Sequence, residues 1–164
     1  MPNPRPLAQL HYRRPQGRLP AHQLLQSVLV HVTGLNHLTL ATADLSRAFD
    51  FYAGVLGCRP RARWARGAYL SADDLWLCLS LDADSRPSVD YTHVAFSVAG
   101  DALDAWRDRL EGAGVRFWKT NTSEGDSLYV LDPDGHRLEL HVGDLDSRLA
   151  ALQDVPYDGL ELFP

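Results

Sequence analysis

"GLNHLTLATADLSRAFDFYAGVLG", residues 34–57, decides the fold because it returns in altered form as "DYTHVAFSVAGDALDAWRDRLEGAG" at residues 90–114. In each stretch a strand-like run around a histidine passes through an aspartate into a helix that ends at glycine. The two histidines, His37 and His93, are 56 residues apart. A repeat period of about 50 residues indicates that one supersecondary unit is used twice.

One apolar stripe at helical spacing predicts a helix in each unit. The stripes consist of Leu45, Phe49, Tyr52 and Leu56 in the first helix, and of Leu103, Trp106 and Leu110 in the second. Asp44 and Asp101 are the expected N-caps, since a short acidic side chain can accept hydrogen bonds from the first turn. Gly57 is expected just beyond the first helix, and Gly112 or Gly114 ends the second.

Short strands are predicted after each helix. They lie at 58–64, 67–72 and 74–81 in the first unit, and at 115–119, 127–132 and 136–142 in the second. The last two are joined by "DPDG" (132–135), a strong turn signal. The predicted fold class is therefore α+β, with two βαβββ repeats at about 33–81 and 90–143 and a further helix at 144–153.

Alternation along three of the strands predicts a metal site. Successive side chains point to opposite faces of a sheet. The faces that carry His37, His93 and Glu139 are small and polar, whereas the apolar residues between them face the helices. Two imidazoles and a carboxylate suit Mn, Fe, Ni or Zn and leave positions open for a substrate. His136 and His141 compete as ligands, and spacing alone does not reject His141.

Composition excludes two broad classes of function. The chain has 164 residues, enough for one domain or two small fused units. Its formal net charge of −5 gives no electrostatic case for nucleic acid. No apolar run approaches the roughly 20 residues that span a bilayer. Two cysteines, Cys58 and Cys78, fit a reducing compartment, so a cytoplasmic location is expected.

The N-terminal residues 1–31 differ in composition from the rest, with four arginines and no acidic residue. A signal peptide is conceivable because "LLQSVLVHV" (24–32) follows the arginines, but Gln26 and His31 interrupt this run and no small-residue cleavage site precedes the first strand. A poorly ordered extension, or an upstream start that the fold does not need, is preferred. The domain itself is then expected at 32–164.

Several blocks of the sequence resemble one family. The doubled βαβββ unit with its His/His/Glu set is similar to the vicinal oxygen chelate superfamily, which includes glyoxalase I and extradiol dioxygenases. The blocks "TGLNHLTLATADL", "RGAYLSADDLWLCLS", "DYTHVAF", "WKTNTSEGDSLYVLDPDGHRLELHVGDLDSRLA" and "PYDGL" resemble the fosfomycin-resistance glutathione transferases of the FosA type. The resemblance spans roughly residues 32–160, in many blocks that keep the same order and register.

The resemblance implies the contents of the site. The metal would be Mn(II), held by His37, His93 and Glu139, in a homodimer whose paired halves come from different chains. The phosphonate of fosfomycin would contact residues that match Lys119, Ser123, Tyr129 and Arg148, with Tyr69 and Trp76 in the pocket. Thr39 would lie beside the epoxide oxygen and stabilise the charge that develops there.

The resemblance also implies a use for the polar stretch "KTNTSEGDSLY" (119–129). A stimulating K⁺ would be bound by Asn121, Ser123, Glu124, Gly125 and Ser127, since hard cations prefer oxygen ligands. The glutathione channel would include Trp64, Ser80 and Lys119. Two further channel positions depart from the family pattern, with Arg66 and Thr122 in this chain. Gly67 stands where the related hydrolase branch carries a glutamate that activates water.

The implied activity is addition of the glutathione thiol to the epoxide carbon of fosfomycin, which opens the ring. Other enzymes of the superfamily are the alternatives: a fosfomycin hydrolase, a bacillithiol transferase, an Fe(II) dioxygenase or a lactoylglutathione isomerase. The isomerase normally needs a second glutamate, and the equivalent place in the first repeat is near Cys78. A drug-sequestering binding protein of the same fold is a further alternative, against which the His/His/Glu set speaks.

Overall fold

The structure is a computed structural model that describes residues 32–122 and 124–163. The chain divides into two units, residues 1–34 and residues 35–164. The predicted N-terminal extension, residues 1–31, lies outside the described residues. The strands and helices of both predicted repeats fall within the second unit.

The first repeat forms a four-stranded mixed sheet with one helix. Its elements are β1 (His37–Thr42), α1 (Leu45–Asp50), a π-helical segment (Phe51–Val55), β2 (Arg59–Trp64), β3 (Gly67–Ala72) and β4 (Leu75–Leu81). The strand order is β1-β4-β3-β2. β1 is parallel to β4, and the other two pairs are antiparallel.

The second repeat has the same topology. Its elements are β5 (Val94–Ser97), a 3₁₀ turn (Gly100–Ala102), α2 (Leu103–Gly112), β6 (Phe117–Lys119), β7 (Ser127–Leu131) and β8 (Arg137–His141), and α3 (Leu145–Asp154) comes after it. The strand order is β5-β8-β7-β6, with β5 parallel to β8. The predicted α+β fold with two βαβββ repeats is therefore confirmed. None of the described helices is long and apolar enough to cross a membrane.

The ends of the helices agree with the sequence signals, with one exception. The Asp44 carboxylate accepts a hydrogen bond from the backbone N–H of Arg47 at 3.0 Å, as expected of an N-cap. Gly57 and Gly114 both have positive φ just beyond their helices. The prediction for Asp101 was wrong, because the 3₁₀ turn begins before α2 and takes Asp101 into its interior. Ala102 is the N-cap and makes no side-chain cap.

Both repeats contribute to one hydrophobic cluster, which lies on the helix side of the sheets. Leu138 and Leu140 are fully or almost fully buried on β8, while Leu77 and Leu79 are their counterparts on β4. Burying such a side chain stabilises the fold by about 1.5–3 kcal/mol. The helix side of each sheet is thereby filled, and the opposite face is left for polar and aromatic side chains.

Polar contacts at the 132–135 turn join the two repeats within the chain. The carboxylate of Asp134 accepts hydrogen bonds from Thr42 Oγ1 at 2.6 Å and from the backbone N–H of Ala43 at 2.9 Å. The buried hydroxyl of Tyr52 donates to Asp132 Oδ2 at 2.8 Å. Since these contacts join residues on either side of the first helix to the β7–β8 turn, they fix one repeat against the other.

Candidate active site

The strand pairing places the two repeats in equivalent registers. Thr39 of β1 pairs with Cys78 of β4, and Ala95 of β5 pairs with Glu139 of β8. Each of the two predicted histidine ligands lies two residues before the first member of its pair. Glu139 therefore occupies in the second repeat the position that Cys78 occupies in the first, as the alignment of the two repeats predicted.

His93 and Glu139 form the centre of the second sheet's open face. His93 Nε2 lies 3.0 Å from Glu139 Oε2. His93 Nδ1 lies 3.0 Å from the carbonyl oxygen of Tyr91, which can only accept, so Nδ1 is the donor in this contact and Nε2 is the nitrogen that faces Glu139. An imidazole nitrogen and a carboxylate oxygen that face each other form a donor set that suits a divalent transition metal.

The carboxyl group of Glu139 is held from its other side. Its Oε1 atom accepts a hydrogen bond from the buried hydroxyl of Ser127 at 2.6 Å. Burial of the carboxyl raises its pKa, but hydrogen bonds from Ser127 and Tyr129 and the nearby imidazoles outweigh burial, so the pKa of Glu139 lies below its ordinary value. The group is thus an ionised carboxylate whose Oε2 faces His93.

Lys119 places a positive charge beside this pair. Its Nζ atom donates to the hydroxyl of Tyr91 and lies 4.5 Å from the ring centroid of Tyr129. The hydrogen bond to Tyr91 is the main reason that the pKa of Lys119 is raised, so the side chain is cationic at neutral pH. Tyr129 itself is buried and packs against Trp118 with ring centroids 5.4 Å apart. The site therefore has aromatic walls and an ammonium group at its rim.

The β6–β7 loop, residues 120–126, leads from Lys119 at the end of β6 to Ser127 at the start of β7. Asn121 Nδ2 donates to the carbonyl oxygen of Gly125 at 2.8 Å. Arg148 Nε of α3 lies 3.2 Å from Glu124 Oε2, so an ion pair connects the loop to that helix. Ser123, predicted to contact both phosphonate and K⁺, lies outside the described residues. The other predicted loop residues lie in the segment that leads directly into Ser127 at the start of β7.

The open face of the first sheet carries a row of aromatic side chains. His37 Nδ1 lies 2.8 Å from Asn36 Oδ1, and its ring packs on Trp76 with centroids 4.7 Å apart. Trp76 contacts Tyr69, which contacts Trp64, so four rings form a continuous row. The side chains of Trp64, Tyr69 and Trp76 are 45%, 37% and 40% exposed. Thr39 and Ser80 are exposed on the same sheet.

His37 does not join His93 and Glu139 within one chain. Across residues 32–122 and 124–163, no three His, Cys, Asp or Glu side chains are placed so that they could hold a metal ion together. His37 belongs to the first sheet, while the other two predicted ligands belong to the second. The three predicted ligands therefore lie on two different sheets of the chain.

The structure separates the two competing histidines and adds a residue that the sequence reasoning missed. His136 Nε2 lies 2.8 Å from the carbonyl oxygen of Ala41, so His136 belongs to the contact between the repeats. His141 remains beside Glu139, at 3.4 Å from its Oε1. Tyr91 was missed, although its position two residues before His93 is the spacing that puts two side chains on one strand face.

A large cavity among the described residues lies elsewhere. It has a volume of about 830 Å³ and is lined by parts of β2, the β3–β4 turn, β5 and Trp106 of α2. None of the predicted site residues lines it. A cavity of this size usually attracts a ligand hypothesis, but the predicted site residues stand on the open sheet faces and not in this cavity.

Comparisons with known proteins agree with this arrangement. The Glyoxalase/Bleomycin resistance protein/Dioxygenase superfamily matches residues 34–140. The chain is 53% identical over 131 residues to the glutathione transferase FosA of Serratia marcescens, a match that covers 77% of this chain and 92% of that protein. It is 37% identical over 136 residues to the metallothiol transferase FosB of Shouchella clausii, covering 79% and 93%.

Solved structures give the same result. The fosfomycin resistance protein FosX from Listeria monocytogenes, in its monoclinic form, matches with a TM-score of 0.66 and 28% identity, covering 74% of this chain and 99% of that one. A mutant of FosX complexed with Mn(II) and 1S,2S-dihydroxypropylphosphonic acid also has a TM-score of 0.66, at 27% identity, covering 73% and 99%. The chain belongs to the Glyoxalase/Bleomycin resistance protein/Dioxygenase superfamily and, within it, to the family of the FosA glutathione transferases.

Proposed function

We propose that this chain is a metal-dependent enzyme that inactivates fosfomycin by joining it to glutathione. The observation that carries the proposal is the convergence of His93 Nε2 and Glu139 Oε2, 3.0 Å apart, beside the cationic Lys119. This combination offers a metal and an anion-binding group on one face, which a phosphonate epoxide requires. The 53% identity to a glutathione transferase FosA supports glutathione as the second substrate.

The metal site would be completed by His37 of a second copy of this chain. His37 has its Nδ1 occupied by Asn36, so its Nε2 is available, and it stands on an exposed aromatic face that another protein surface can cover. We therefore propose a homodimer in which the first repeat of one chain faces the second repeat of the other. Bound Mn(II) would supply a Lewis acid toward the phosphonate and epoxide oxygens. Mn(II) is present in the complex of the FosX mutant.

The anion would be held by the cationic groups around the β6–β7 loop. Lys119 presents its ammonium group at the rim, and the guanidinium of Arg148 can form paired hydrogen bonds with a phosphonate. Arg148 now pairs with Glu124, and its side chain is still partly exposed. Ser123 and Tyr129 would add hydroxyl donors. K⁺ would occupy the loop among the oxygens of Asn121, Ser123, Glu124, Gly125 and Ser127.

The chemical step is a substitution at an epoxide carbon. The sulfur of glutathione forms the new C–S bond while the ring C–O bond breaks, and the proton lost by the thiol is balanced by one gained by the ring oxygen. The Thr39 hydroxyl would donate a hydrogen bond to that oxygen as its charge develops. Tyr69 and Trp76 would shape the pocket around the small substrate. No covalent bond to the protein is needed.

The space around Gly67 favours a thiol over water as the nucleophile. A side chain at Gly67 would place its Cβ 2.5 Å from Trp64 Cζ2 and 2.8 Å from the carbonyl oxygen of Leu79. A carboxylate that activates water therefore has no room at this position while Trp64 keeps its place. Trp64, Ser80 and Lys119 would line the glutathione channel, in which Arg66 and Thr122 are the departures from the family. Both cysteines are free, which fits the reducing cytoplasm that we propose as its location.

A panel of nucleophiles tests the proposed reaction. Purified protein with Mn(II), K⁺ and fosfomycin is supplied in turn with glutathione, cysteine, bacillithiol or water alone, and the products are separated by mass spectrometry. The glutathione adduct should form fastest. Formation of the diol alone would make the protein a hydrolase, and preference for bacillithiol would make it a bacillithiol transferase. Absence of any adduct with any thiol would overturn the proposal.

Mixing two inactive variants tests whether the site is shared. His37→Ala removes the ligand from the first repeat, and Glu139→Gln removes one from the second. In mixed dimers with shared sites, one site carries both defects and the other is intact. Unfolding and refolding the two variants together should restore about a quarter of the wild-type activity, because half of the dimers are mixed. If each site lay within one chain, no activity would return.

A further inference from the structure

His141 is a partly buried polar side chain beside Glu139 to which the proposed reaction gives no part. It lies on β8 two residues after Glu139, on the same face, and its side chain is only 18% exposed. It is 3.4 Å from Glu139 Oε1, whereas His93 faces the other carboxylate oxygen, Oε2. His141 therefore stands behind the predicted metal ligand, in a position to hold it rather than to replace it.

The hydroxyl of Ser127 links His141 to Glu139. Ser127 Oγ donates to Glu139 Oε1 at 2.6 Å, and it lies 2.8 Å from His141 Nδ1. A hydroxyl has a single hydrogen, so towards His141 the oxygen accepts and Nδ1 donates. The direction of both bonds is fixed by this condition. The chain His141–Ser127–Glu139 thereby occupies Oε1 and leaves Oε2 facing His93.

The β6–β7 loop rests on the ring of His141. Gly125 has a φ of +76°, and a Cβ at this position would lie 2.7 Å from His141 Cε1 and 2.7 Å from the carbonyl oxygen of Val142. Asn121 Nδ2 closes the loop onto the Gly125 carbonyl at 2.8 Å. The loop backbone at Gly125 therefore lies close against the ring, and the ring cannot move toward the loop without contacting it.

We propose that His141 is a positioning residue that couples occupancy of the β6–β7 loop by K⁺ to the orientation of the Glu139 carboxylate. The proposal rests on the proposed function, which assigns K⁺ to the loop and the divalent metal to Glu139. A cation that orders the loop presses Gly125 onto the imidazole. The imidazole then holds Ser127 in the rotamer that hydrogen-bonds Glu139 Oε1. The Glu139 side chain is thereby already ordered, with Oε2 facing the metal.

Two substitutions at position 141 separate hydrogen bonding from packing. His141→Asn keeps an N–H donor close to the place of Nδ1, whereas His141→Leu keeps apolar volume and has no donor. Mn(II) affinity is measured by electron paramagnetic resonance of the free ion, in KCl and in tetramethylammonium chloride. In the wild type K⁺ should tighten Mn(II) binding. His141→Leu should weaken Mn(II) binding by about tenfold or more and lose the response to K⁺, while His141→Asn retains most of both.

The results contradict the proposal in two cases. Equal Mn(II) affinity and K⁺ response in His141→Leu and the wild type would show that the hydrogen bonds from His141 through Ser127 to Glu139 do not affect Mn(II) binding. Equal losses in the Leu and Asn variants would show that only the shape of the imidazole matters. A wild type that binds no Mn(II) would overturn the proposed function together with this inference, whereas a wild type that binds Mn(II) and turns over beside an unaffected His141→Leu would overturn the inference alone.

A second variant tests the coupling from the loop side if His141→Leu does not fold. Gly125→Ala pushes a methyl group against the imidazole and removes no side-chain ligand of either cation. Gly114→Ala is its control, since Gly114 has a similar φ of +67° but open space around its Cβ position. Gly125→Ala should weaken Mn(II) binding in KCl, and Gly114→Ala should leave it unchanged. Equal Mn(II) affinity in the two variants would overturn the coupling.

Discussion

The hairpins β2–β3 and β6–β7 are the same element in the two repeats, yet they are connected differently. The first is closed by two residues, 65 and 66, and the second by the seven residues of the β6–β7 loop. In the first, Ala62 pairs with Tyr69, and in the second Lys119 pairs with Tyr129. An alanine and a tight turn in one repeat thus correspond to a cation and an oxygen-rich loop in the other.

The neighbouring strand extends the contrast. Gly67 pairs with Ser80 in the first repeat, and the equivalent pair in the second is Ser127 with His141. The scaffold fixes where these side chains point, because the register is the same in both sheets. What differs is the chemistry at the equivalent positions: Ala62, Cys78 and Ser80 in the first repeat correspond to Lys119, Glu139 and His141 in the second. A site that needs both faces must bring the two kinds of repeat together.

The largest expected effect comes from the pair Glu139 and Cys78, which are equivalent positions. Glu139→Gln removes the carboxylate charge that a divalent metal requires, so Mn(II) affinity should fall by at least about a hundredfold and turnover should be lost. Cys78→Ser is the matched control, since the buried Cys78 takes no part in the proposed reaction. It should keep activity within a few-fold of the wild type. Calorimetric Mn(II) titration and adduct formation measure both.

Two outcomes would contradict the proposed difference in chemical role between Glu139 and Cys78. If Glu139→Gln turned over normally, the proposed ligand set would be wrong. If Cys78→Ser lost activity as completely as Glu139→Gln while remaining folded, Cys78 would have a part in the activity that the proposed reaction does not give it.

The next effect concerns Lys119, whose equivalent in the first repeat is Ala62. Lys119→Ala should raise the KM for fosfomycin by roughly 10–100-fold, because a hydrogen bond to a charged group contributes about 1.5–3 kcal/mol. Lys119→Arg retains the charge and should lose less. Steady-state kinetics with fosfomycin and glutathione varied separately give both KM values. A rise confined to the KM for glutathione would place Lys119 in the thiol channel alone.

Much of the fold could be predicted from local signals in the sequence. The βαβββ repeat was predicted from two histidine-centred strands and their helices, and it is confirmed. The equivalence of Cys78 and Glu139 came from aligning the repeats, because the strands have a side-chain period of two. The N-cap at Asp44 was correct because capping depends on a few neighbouring residues. The predicted N-cap at Asp101 was wrong because a 3₁₀ turn, which has no strong sequence signal, precedes the helix.

Contacts between distant parts of the chain were harder to predict from the sequence. His93 and Glu139 come together because β5 and β8 are neighbours in one sheet, but the sequence does not state that His37 lies in a different sheet. The hydrogen bond between Tyr52 and Asp132 spans 80 residues and has no periodic signal. Tyr91, which contacts both His93 and Lys119, looks like any aromatic residue before a strand until the two contacts are seen together.

A smaller effect is expected at Gly67, the counterpart of Ser127. Gly67→Ala forces Trp64 away from the sheet or strains the backbone near Leu79, which should cost about 1–3 kcal/mol of unfolding free energy. Displacement of Trp64 should also raise the KM for glutathione. Gly54→Ala is the control, because a Cβ there meets nothing within 4 Å. Urea unfolding and glutathione kinetics test both variants. Equal stability of the two would show that Trp64 moves aside without a measurable loss of unfolding free energy.

The smallest effect concerns the contact between the repeats. Asp132 is buried and accepts hydrogen bonds from the Tyr52 hydroxyl and from the backbone N–H groups of Asp134 and His136. Burial raises its pKa above 3.8 in spite of these bonds. The folded chain then binds this proton more tightly than the unfolded chain. The stability that the proton contributes is fully present below pH 3.8 and is lost as the pH rises through the folded-state pKa.

Asp132→Asn cannot ionise, so it should lack this loss. Measured by urea unfolding from about pH 4 upward, the free-energy difference between the two proteins should shift in favour of Asp132→Asn, by at most about 1.4 kcal/mol per pH unit. Tyr52→Phe keeps the carboxyl group but removes a hydrogen bond that lowers its pKa, so its loss of stability with rising pH should be at least as large as that of the wild type. A constant difference between Asp132→Asn and the wild type at every pH would mean that the carboxyl titrates alike in both states. Burial of the ionised Asp132 carboxylate between the two repeats would then cost no free energy of unfolding.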